Sequence, residues 1–255
     1  MTTSPHTIFI IPYRDRAIHK AKFQEFFEQL KNFKGWNDSD VRAVYAHQCD
    51  NRLFNRGATK NIGFLAMKQE YPNDWQDITF VFHDVDSIPT TPDLFKYETT
   101  HGVVTHYYGF TYTLGGMFAI KGRDFESTGG FPNLWGWGIE DNVMQDRVLA
   151  NNLSINRLEF IPVDDKRIMR PFDGYTRTTS NREVAMYKYG EHLDNMHNIS
   201  SISFNCVDEY VNIMDFRTSR IPEQEEMNLI DLRNKSSTKL KVNRNFFRKR
   251  WGMQF

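Results

Sequence analysis

Residues 78–86 read ITFVFHDVD, an apolar run that stops abruptly at a histidine and two aspartates. Such a run, rich in β-branched and aromatic residues, predicts a strand buried on both faces, with the acidic residues where the chain leaves the sheet. Working outward, residues 7–12 (TIFIIP) predict another buried strand stopped by proline, and residues 41–46 a short one between the two. Residues 17–33 carry Ile18, Phe23, Phe26, Phe27, Leu30 and Phe33 at roughly helical spacing, so a helix follows the first strand. Residues 58–71 repeat the pattern with Ile62, Phe64, Leu65 and Met67, and Pro72 ends the helix. Strand, helix, strand, helix, strand predicts an α/β fold with a largely parallel sheet. Ligands of open sheets of this kind bind beyond the carboxyl ends of the strands. Pro12-Tyr13-Arg14 and Asp84-Val85-Asp86 would therefore share one edge.

Downstream, residues 109–137 are rich in glycine and aromatics and read as loops around a cleft. Residues 140–151 predict a helix with Asp141 in its first turn, and beyond residue 152 only short strands and polar loops are expected. No internal repeat or linker divides the chain. It reads as a single domain over residues 1–234, with halves about 7–110 and 111–234, followed by a basic tail over 235–255. That tail carries Lys235, Lys239, Lys241, Arg244, Arg248, Lys249 and Arg250. It reads either as a solvated terminus or as a weak contact to an anionic membrane surface, anchored by Phe246, Phe247 and Trp251.

The 255 residues include 32 basic and 32 acidic side chains, and 40% are hydrophobic. Disorder needs lower hydrophobicity and a charge imbalance. Nucleic acid as a partner would need a basic excess, which a net charge of zero does not supply. Cys49 and Cys206 are the two cysteines, and neither belongs to a metal-type pair. No signal-type leader opens the chain, and no apolar run approaches the roughly 18 residues that span a bilayer. The expected location is cytoplasmic.

Four stretches carry chemistry. Asp84 and Asp86, two apart after a buried strand, suit a hard divalent cation left open to substrate phosphates, or else form a solvated turn. Oxygen donors of this kind select Mn²⁺ or Mg²⁺. Tyr13-Arg14-Asp15-Arg16 offers two guanidiniums beside a ring, suited to a diphosphate and a stacked base, or else a surface ion-pair loop through Asp15. Phe54-Asn55-Arg56-Gly57 adds a further cation and flat ring. The most informative stretch runs from Gly115-Gly116 through Gly129-Gly130-Phe131-Pro132-Asn133 to Trp135-Gly136-Trp137-Gly138-Ile139-Glu140-Asp141-Asn142. Two tryptophans around a glycine suit a loop closing over a flat sugar face, the plainer alternative being core packing. Glu140 and Asp141 open a helix, where the dipole favours the ionised carboxylate. Such a group can take a proton from an attacking hydroxyl.

These blocks, with Ile10-Ile11-Pro12-Tyr13-Arg14-Asp15-Arg16, Phe54 to Phe64 and His83 to Pro89, resemble the β-1,4-galactosyltransferase family in order and spacing over residues 7–160. The resemblance implies a Rossmann-like GT-A fold and a metal-dependent inverting enzyme that moves a sugar from a UDP-sugar donor to a hydroxyl of a glycan, glycolipid or glycoprotein. It places Pro12, Tyr13, Arg14, Arg16, Phe54 and Arg56 on the uridine diphosphate, Asp86 on Mn²⁺ with Asp84 and Val85 beside it, and Asp141 as catalytic base. Glu140 would hold substrate hydroxyls, Gly116 would belong to the donor site, and Trp137 to the loop that covers the donor and builds the acceptor site with Asp141 and Asn142.

Three departures from the family stand out. The segment DKRIMRP over residues 165–171 lacks the histidine that completes the family's metal site, so His192, His197 or a water would substitute. Thr113 stands where galactose-transferring members carry tyrosine, which leaves room for an N-acetylhexosamine. Asn142 follows the Glu-Asp pair, similar to chondroitin-polymerase-type N-acetylgalactosaminyltransferase domains. Together with the missing anchor and disulfides, this points to a microbial or viral soluble enzyme. The rival is a catalytically silent sugar- or nucleotide-binding protein on the same fold.

Overall fold

A computed structural model describes residues 4–191, 193–222 and 227–233. His192 and the basic tail lie outside the described residues. The chain opens with β1 (Thr7–Tyr13), α1 (Ala17–Lys34), β2 (Val41–Gln48), α2 (Arg56–Glu70) and β3 (Thr79–His83). There follow β4 (Ile88–Pro89), β5 (Val103–Gly109), β6 (Met117–Lys121), α3 (Gly122–Ser127) and α4 (Glu140–Ala150). Short strands β7 (Ser154–Asn156), β8 (Ile161–Pro162), β9 (Ile168–Met169) and β10 (Thr176–Ser180) lead to α5 (Asn181–Tyr189) and a 3-10 turn, Met196–Asn198. The last described strands are β11 (Ser200–Val207), β12 (Tyr210–Arg217) and β13 (Met227–Asp231).

The central sheet runs β11-β12-β2-β1-β3-β6-β5-β7, with β8 also pairing β5. It is mixed but mostly parallel: β1 pairs β2 and β3 in parallel, whereas β6 is antiparallel to β3 and β5. Alternation along β1 sends Ile8 and Ile10 into the core under α2, and Phe9 and Ile11 into the core under α1. Burying each such side chain contributes about 1.5–3 kcal/mol, which is why a strand packed on both faces reads as an unbroken apolar run. Gly63 sets the approach of α2. A Cβ there would stand 2.9 Å from Ile10 Cγ2 and 3.0 Å from Ala46 Cβ. The N-terminus of α2 is capped by Asn55, whose side chain accepts from the Ala58 amide at 2.9 Å, a contact worth about 1 kcal/mol.

Register then fixes the site. Parallel pairing puts the carboxyl ends of β1 and β3 on one edge, and antiparallel β6 starts there because Met117 pairs His83. The Asp84 amide donates to the Gly116 carbonyl at 2.9 Å, so the acidic turn and the Gly-Gly segment lie side by side.

Three expectations are corrected. Ile18 and Phe33 are 72% and 57% exposed, because α1 faces the sheet with His19, Phe23, Phe26, Phe27 and Leu30. Ile18, five residues before Phe23, is turned toward the far side of a 3.6-residue helix. The segment 109–137 is not loop throughout: MFAIK forms β6 and α3 follows, a strand hidden in sequence by its flanking glycines. Beyond residue 152 the chain builds β11 and β12, which widen the sheet past β2. Among the described residues no helix is long and apolar enough to cross a membrane.

Candidate active site

A cavity of about 250 Å³ opens at this edge. The exit of β1 supplies Pro12, Arg14, Asp15 and Arg16, the entry to α2 supplies Phe54 and Arg56, and the exit of β3 supplies Asp84, Val85 and Asp86. Arg14 lies over the Phe54 ring, 5.1 Å from its centroid, while its Nη1 donates to the Arg52 carbonyl at 2.6 Å. Burial works against the Arg56 charge, but Asp84, Glu140, Asp86 and Asp141 outweigh it and raise its pKa. Tyr13 does not line this cavity. Alternation along the strand buries it against Tyr45, His47 and Tyr210, with ring centroids 5.8, 5.3 and 5.9 Å away. Asp173, from the segment between β9 and β10, completes the lining and pairs with Arg16 and with Arg177, the latter at 2.7 Å. Nothing in its sequence context singled it out.

Beside the cavity stands the start of α4. Ile139 takes φ 60°, a left-handed conformation that costs a β-branched residue about 1–3 kcal/mol. That bend turns the tryptophan loop into the helix, with Glu140 and Asp141 at its first turn. The Leu114 amide donates to the Asp141 carbonyl at 2.9 Å, and Gly115 packs under the Asp141 carboxylate. Gly116 takes φ +72°, and a Cβ there would stand 2.5 Å from the Tyr108 carbonyl oxygen. Burial, together with Glu140 and Asp84, pushes the Asp141 pKa up to about 7, with Lys60 and Arg56 pulling the other way. Asp84 moves in the opposite direction: burial raises its pKa, but Lys60 and Arg56 outweigh it. Glu140 is buried, and among the described residues its Oε2 has no hydrogen-bond partner. Thr113 is buried nearby, and Asn142 donates from Nδ2 to the Tyr112 carbonyl at 3.5 Å.

Sequence reading missed Lys60. Its ammonium is buried on α2, 3.4 Å from Asp141 Oδ1 and 3.7 Å from Asp84 Oδ1. A usable signal was the i,i+4 spacing from Arg56, which puts both cations on one helix face.

The two tryptophans part ways. Trp135 is core, 1% exposed, stacked on Phe216 at 5.3 Å and donating from Nε1 to Thr218 Oγ1 at 3.0 Å. For Trp135 the plainer alternative, core packing, is the one found. Trp137 is half-buried, and its amide donates to the Thr178 carbonyl at 2.7 Å. Glu183, another residue missed in sequence, anchors this loop by accepting from the amides of Trp135 at 2.9 Å and Gly136 at 3.2 Å.

The donor set bears on a metal. Asp84 is tied to Lys60, whereas Asp86 lines the cavity and accepts from Ser87 Oγ at 3.2 Å. His197 is exposed on the 3-10 turn and does not line the cavity. Among the described residues no three His, Cys, Asp or Glu side chains are gathered for a metal. These residues fit a hard cation held by one or two carboxylates with phosphate and water completing its shell; they do not form an all-protein cage.

Two solved structures share the fold. One is the catalytic domain of Drosophila β1,4-galactosyltransferase 7 with xylobiose (TM-score 0.58, 19% identity, covering 82% of this chain and 93% of that one). The other is a mutant of that enzyme with manganese, UDP-Gal and xylobiose (TM-score 0.60, 19% identity, 82% and 94%). The architecture is thus the GT-A glycosyltransferase fold. A profile described as the N-terminal region of glycosyl transferase group 7 matches residues 2–98, and one described as the N-terminal domain of galactosyltransferase matches residues 99–171. Together they account for 170 of the 255 residues, and the chain belongs to the β-1,4-galactosyltransferase family. Human β-1,4-galactosyltransferase 4 is 31% identical over 161 residues, 58% of this chain and 44% of its own length. Human β-1,4-galactosyltransferase 1 is 30% identical over 164 residues, 60% and 39%. The Caenorhabditis elegans xylosylprotein 4-beta-galactosyltransferase is 24% identical over 219 residues, 78% and 72%. The matched region is less than half the length of the two human relatives.

Proposed function

We propose that this protein is a metal-dependent, inverting glycosyltransferase that moves galactose or N-acetylgalactosamine from a UDP-sugar to a sugar hydroxyl of a glycan acceptor. One observation carries the reading. An arginine-lined cavity holding Asp86 opens beside a carboxylate, Asp141, whose pKa lies near neutrality, and a single ammonium touches both sides. The related Drosophila structure with manganese, UDP-Gal and xylobiose supports the same pairing of donor, metal and sugar acceptor.

In this mechanism Arg14, Arg16 and Arg56 receive the diphosphate, and Phe54 offers a flat ring to the base. Asp86, with Asp84 alongside, would hold Mn²⁺ or Mg²⁺, which supplies Lewis-acid stabilisation of the leaving diphosphate. Asp141 takes the proton of the acceptor hydroxyl as that oxygen bonds to the anomeric carbon. The bond from that carbon to the diphosphate breaks, its electron pair leaves with UDP, and the configuration inverts. The unpartnered Oε2 of Glu140 is suited to a substrate hydroxyl, and Trp137 and Asn142 border the acceptor side.

A panel of UDP-galactose, UDP-N-acetylgalactosamine, UDP-glucose, UDP-N-acetylglucosamine and UDP-glucuronate, assayed with Mn²⁺, Mg²⁺ or chelator, tests this. Turnover of one of the first two donors that chelator abolishes is expected. Metal-independent binding without turnover across sugar acceptors would favour the silent binding protein. Thr113, 7% exposed, precedes Leu114, whose amide bonds the Asp141 carbonyl, and in this reading it sets the space beside the donor. Thr113→Tyr is expected to lower use of UDP-N-acetylgalactosamine relative to UDP-galactose by about 10-fold or more, the scale of a pocket steric change. An unchanged ratio of kcat/KM values would remove Thr113 from donor selection.

A further inference from the structure

Lys60 is 3% exposed, and its ammonium meets three partners: Asp141 Oδ1 at 3.4 Å, Asp84 Oδ1 at 3.7 Å and the Phe131 ring at 4.5 Å to its centroid. A buried ammonium is tolerated only where carboxylates and a ring face replace its water. Here it has two carboxylates, one on each side of the proposed reaction. Asp84 comes from the donor side, at the exit of β3. Asp141 comes from the acceptor side, at the start of α4.

The contact divides the two oxygens of Asp141. Oδ1 is taken by Lys60, whereas Oδ2 lies over Gly115, where even a methyl carbon would stand 2.3 Å away. The side chain keeps 26% exposure, so this carboxylate borders the open site. The charged groups around it are Lys60 and Arg56 from α2, Asp84 from the exit of β3, and Glu140 from its own helix. Without Lys60, the three carboxylates Asp84, Glu140 and Asp141 would lose the cation that acts most strongly on both Asp84 and Asp141.

We propose that Lys60 is a positioning residue for the reaction: it holds Oδ1 of Asp141, leaves Oδ2 for the acceptor hydroxyl, and through Asp84 sets the base in register with the donor cavity. This rests on reading Asp141 as the base. Because burial and the neighbouring carboxylates already push that group's pKa up, loss of the ammonium removes the largest charge keeping it available as a base near neutral pH.

Lys60→Met keeps the length and removes the charge, and Lys60→Arg restores it. In Lys60→Met, kcat is expected to fall about 100-fold, the scale of impaired general-base catalysis. UDP affinity by calorimetry should stay within about threefold, since no diphosphate contact is lost. The acid limb of kcat/KM should move up by about one pH unit, and Lys60→Arg should recover at least about a tenth of wild-type kcat. A ¹³C-carboxyl titration of Asp141 in ligand-free protein, assigned by its loss in Asp141→Asn, should show the same upward move without any turnover. A wild-type titration and kcat in Lys60→Met would overturn the proposal, as would equal losses in a folded Lys60→Arg. Loss of UDP binding with an unmoved Asp141 titration would also overturn it, by assigning Lys60 to the donor alone. If the wild type turns over no UDP-sugar, the functional reading fails, and the titration still decides whether Lys60 holds Asp141. Should Lys60→Met not fold, Lys60→Gln carries the same comparison.

Discussion

Asp141→Asn is expected to lower kcat by about 10³–10⁴-fold, toward the upper end of what a positioned proton acceptor contributes. Asparagine keeps the shape and can still face Lys60, but it cannot accept the proton of the attacking hydroxyl. UDP binding should be nearly unchanged, because Asp141 is not among the residues lining the arginine cavity. The wild-type pH profile follows from the same group. Its pKa is raised to about 7, first by burial and then by Glu140 and Asp84, against the pull of Lys60 and Arg56. Only the ionised form is a base, so kcat/KM should fall as pH drops through about 7 and level off above it. Asp141→Asn should lose that limb. A variant retaining more than about a tenth of wild-type kcat would show that another group takes the proton.

How far the sequence carried the structure depends on what each residue had to signal. The first five elements were legible because β1 and β3 are buried on both faces and read as apolar runs, β2 is a shorter, mostly buried stretch between them, and α1 and α2 show helical spacing. That order also located the cavity, since the exits of β1 and β3 must share an edge when both strands run parallel. Tyr13 was misplaced for a local reason: alternation puts it opposite the neighbours that line the cavity. Lys60, Asp173 and Glu183 were silent for another reason. Each is a charged residue buried by a partner distant in sequence, Lys60 by Asp141, Asp173 by Arg16, and Glu183 by the amides of Trp135 and Gly136. A charged residue within a helix or loop ordinarily reads as solvated surface, and only tertiary pairing reverses that. Trp135 and Trp137 share a motif, yet one is core and the other is half-buried with its amide on the Thr178 carbonyl. Motif identity cannot separate them, because the difference arises from where Phe216 and Thr178 arrive.

The other large loss is expected at a residue without a side chain. A Cβ on Gly115 would stand 2.3 Å from Asp141 Oδ2, 2.7 Å from its Cγ and 3.2 Å from its Cβ. Contacts this short cannot persist, so Gly115→Ala must move something. What moves is the end of a side chain that is 26% exposed and held by one contact to Lys60 rather than by backbone, so the fold should survive with little change in Tm. The carboxylate, however, leaves the place where Lys60 holds one oxygen and the acceptor would meet the other. A misplacement of about 1 Å at a reacting group can lower the rate about 100-fold, and that is the loss in kcat expected here. Gly57 makes the contrast. A Cβ there would stand 1.8 Å from the backbone oxygen of Pro132, which cannot swing away, so alanine at that position should act on stability. Because Gly115→Ala and Asp141→Asn disable the same group, their effects should not add, and the double variant should be no slower than Asp141→Asn alone. Additive losses would mean that Gly115 serves the reaction by some route other than Asp141. Wild-type kcat in Gly115→Ala would mean that the carboxylate works from a position other than the one it occupies over this glycine.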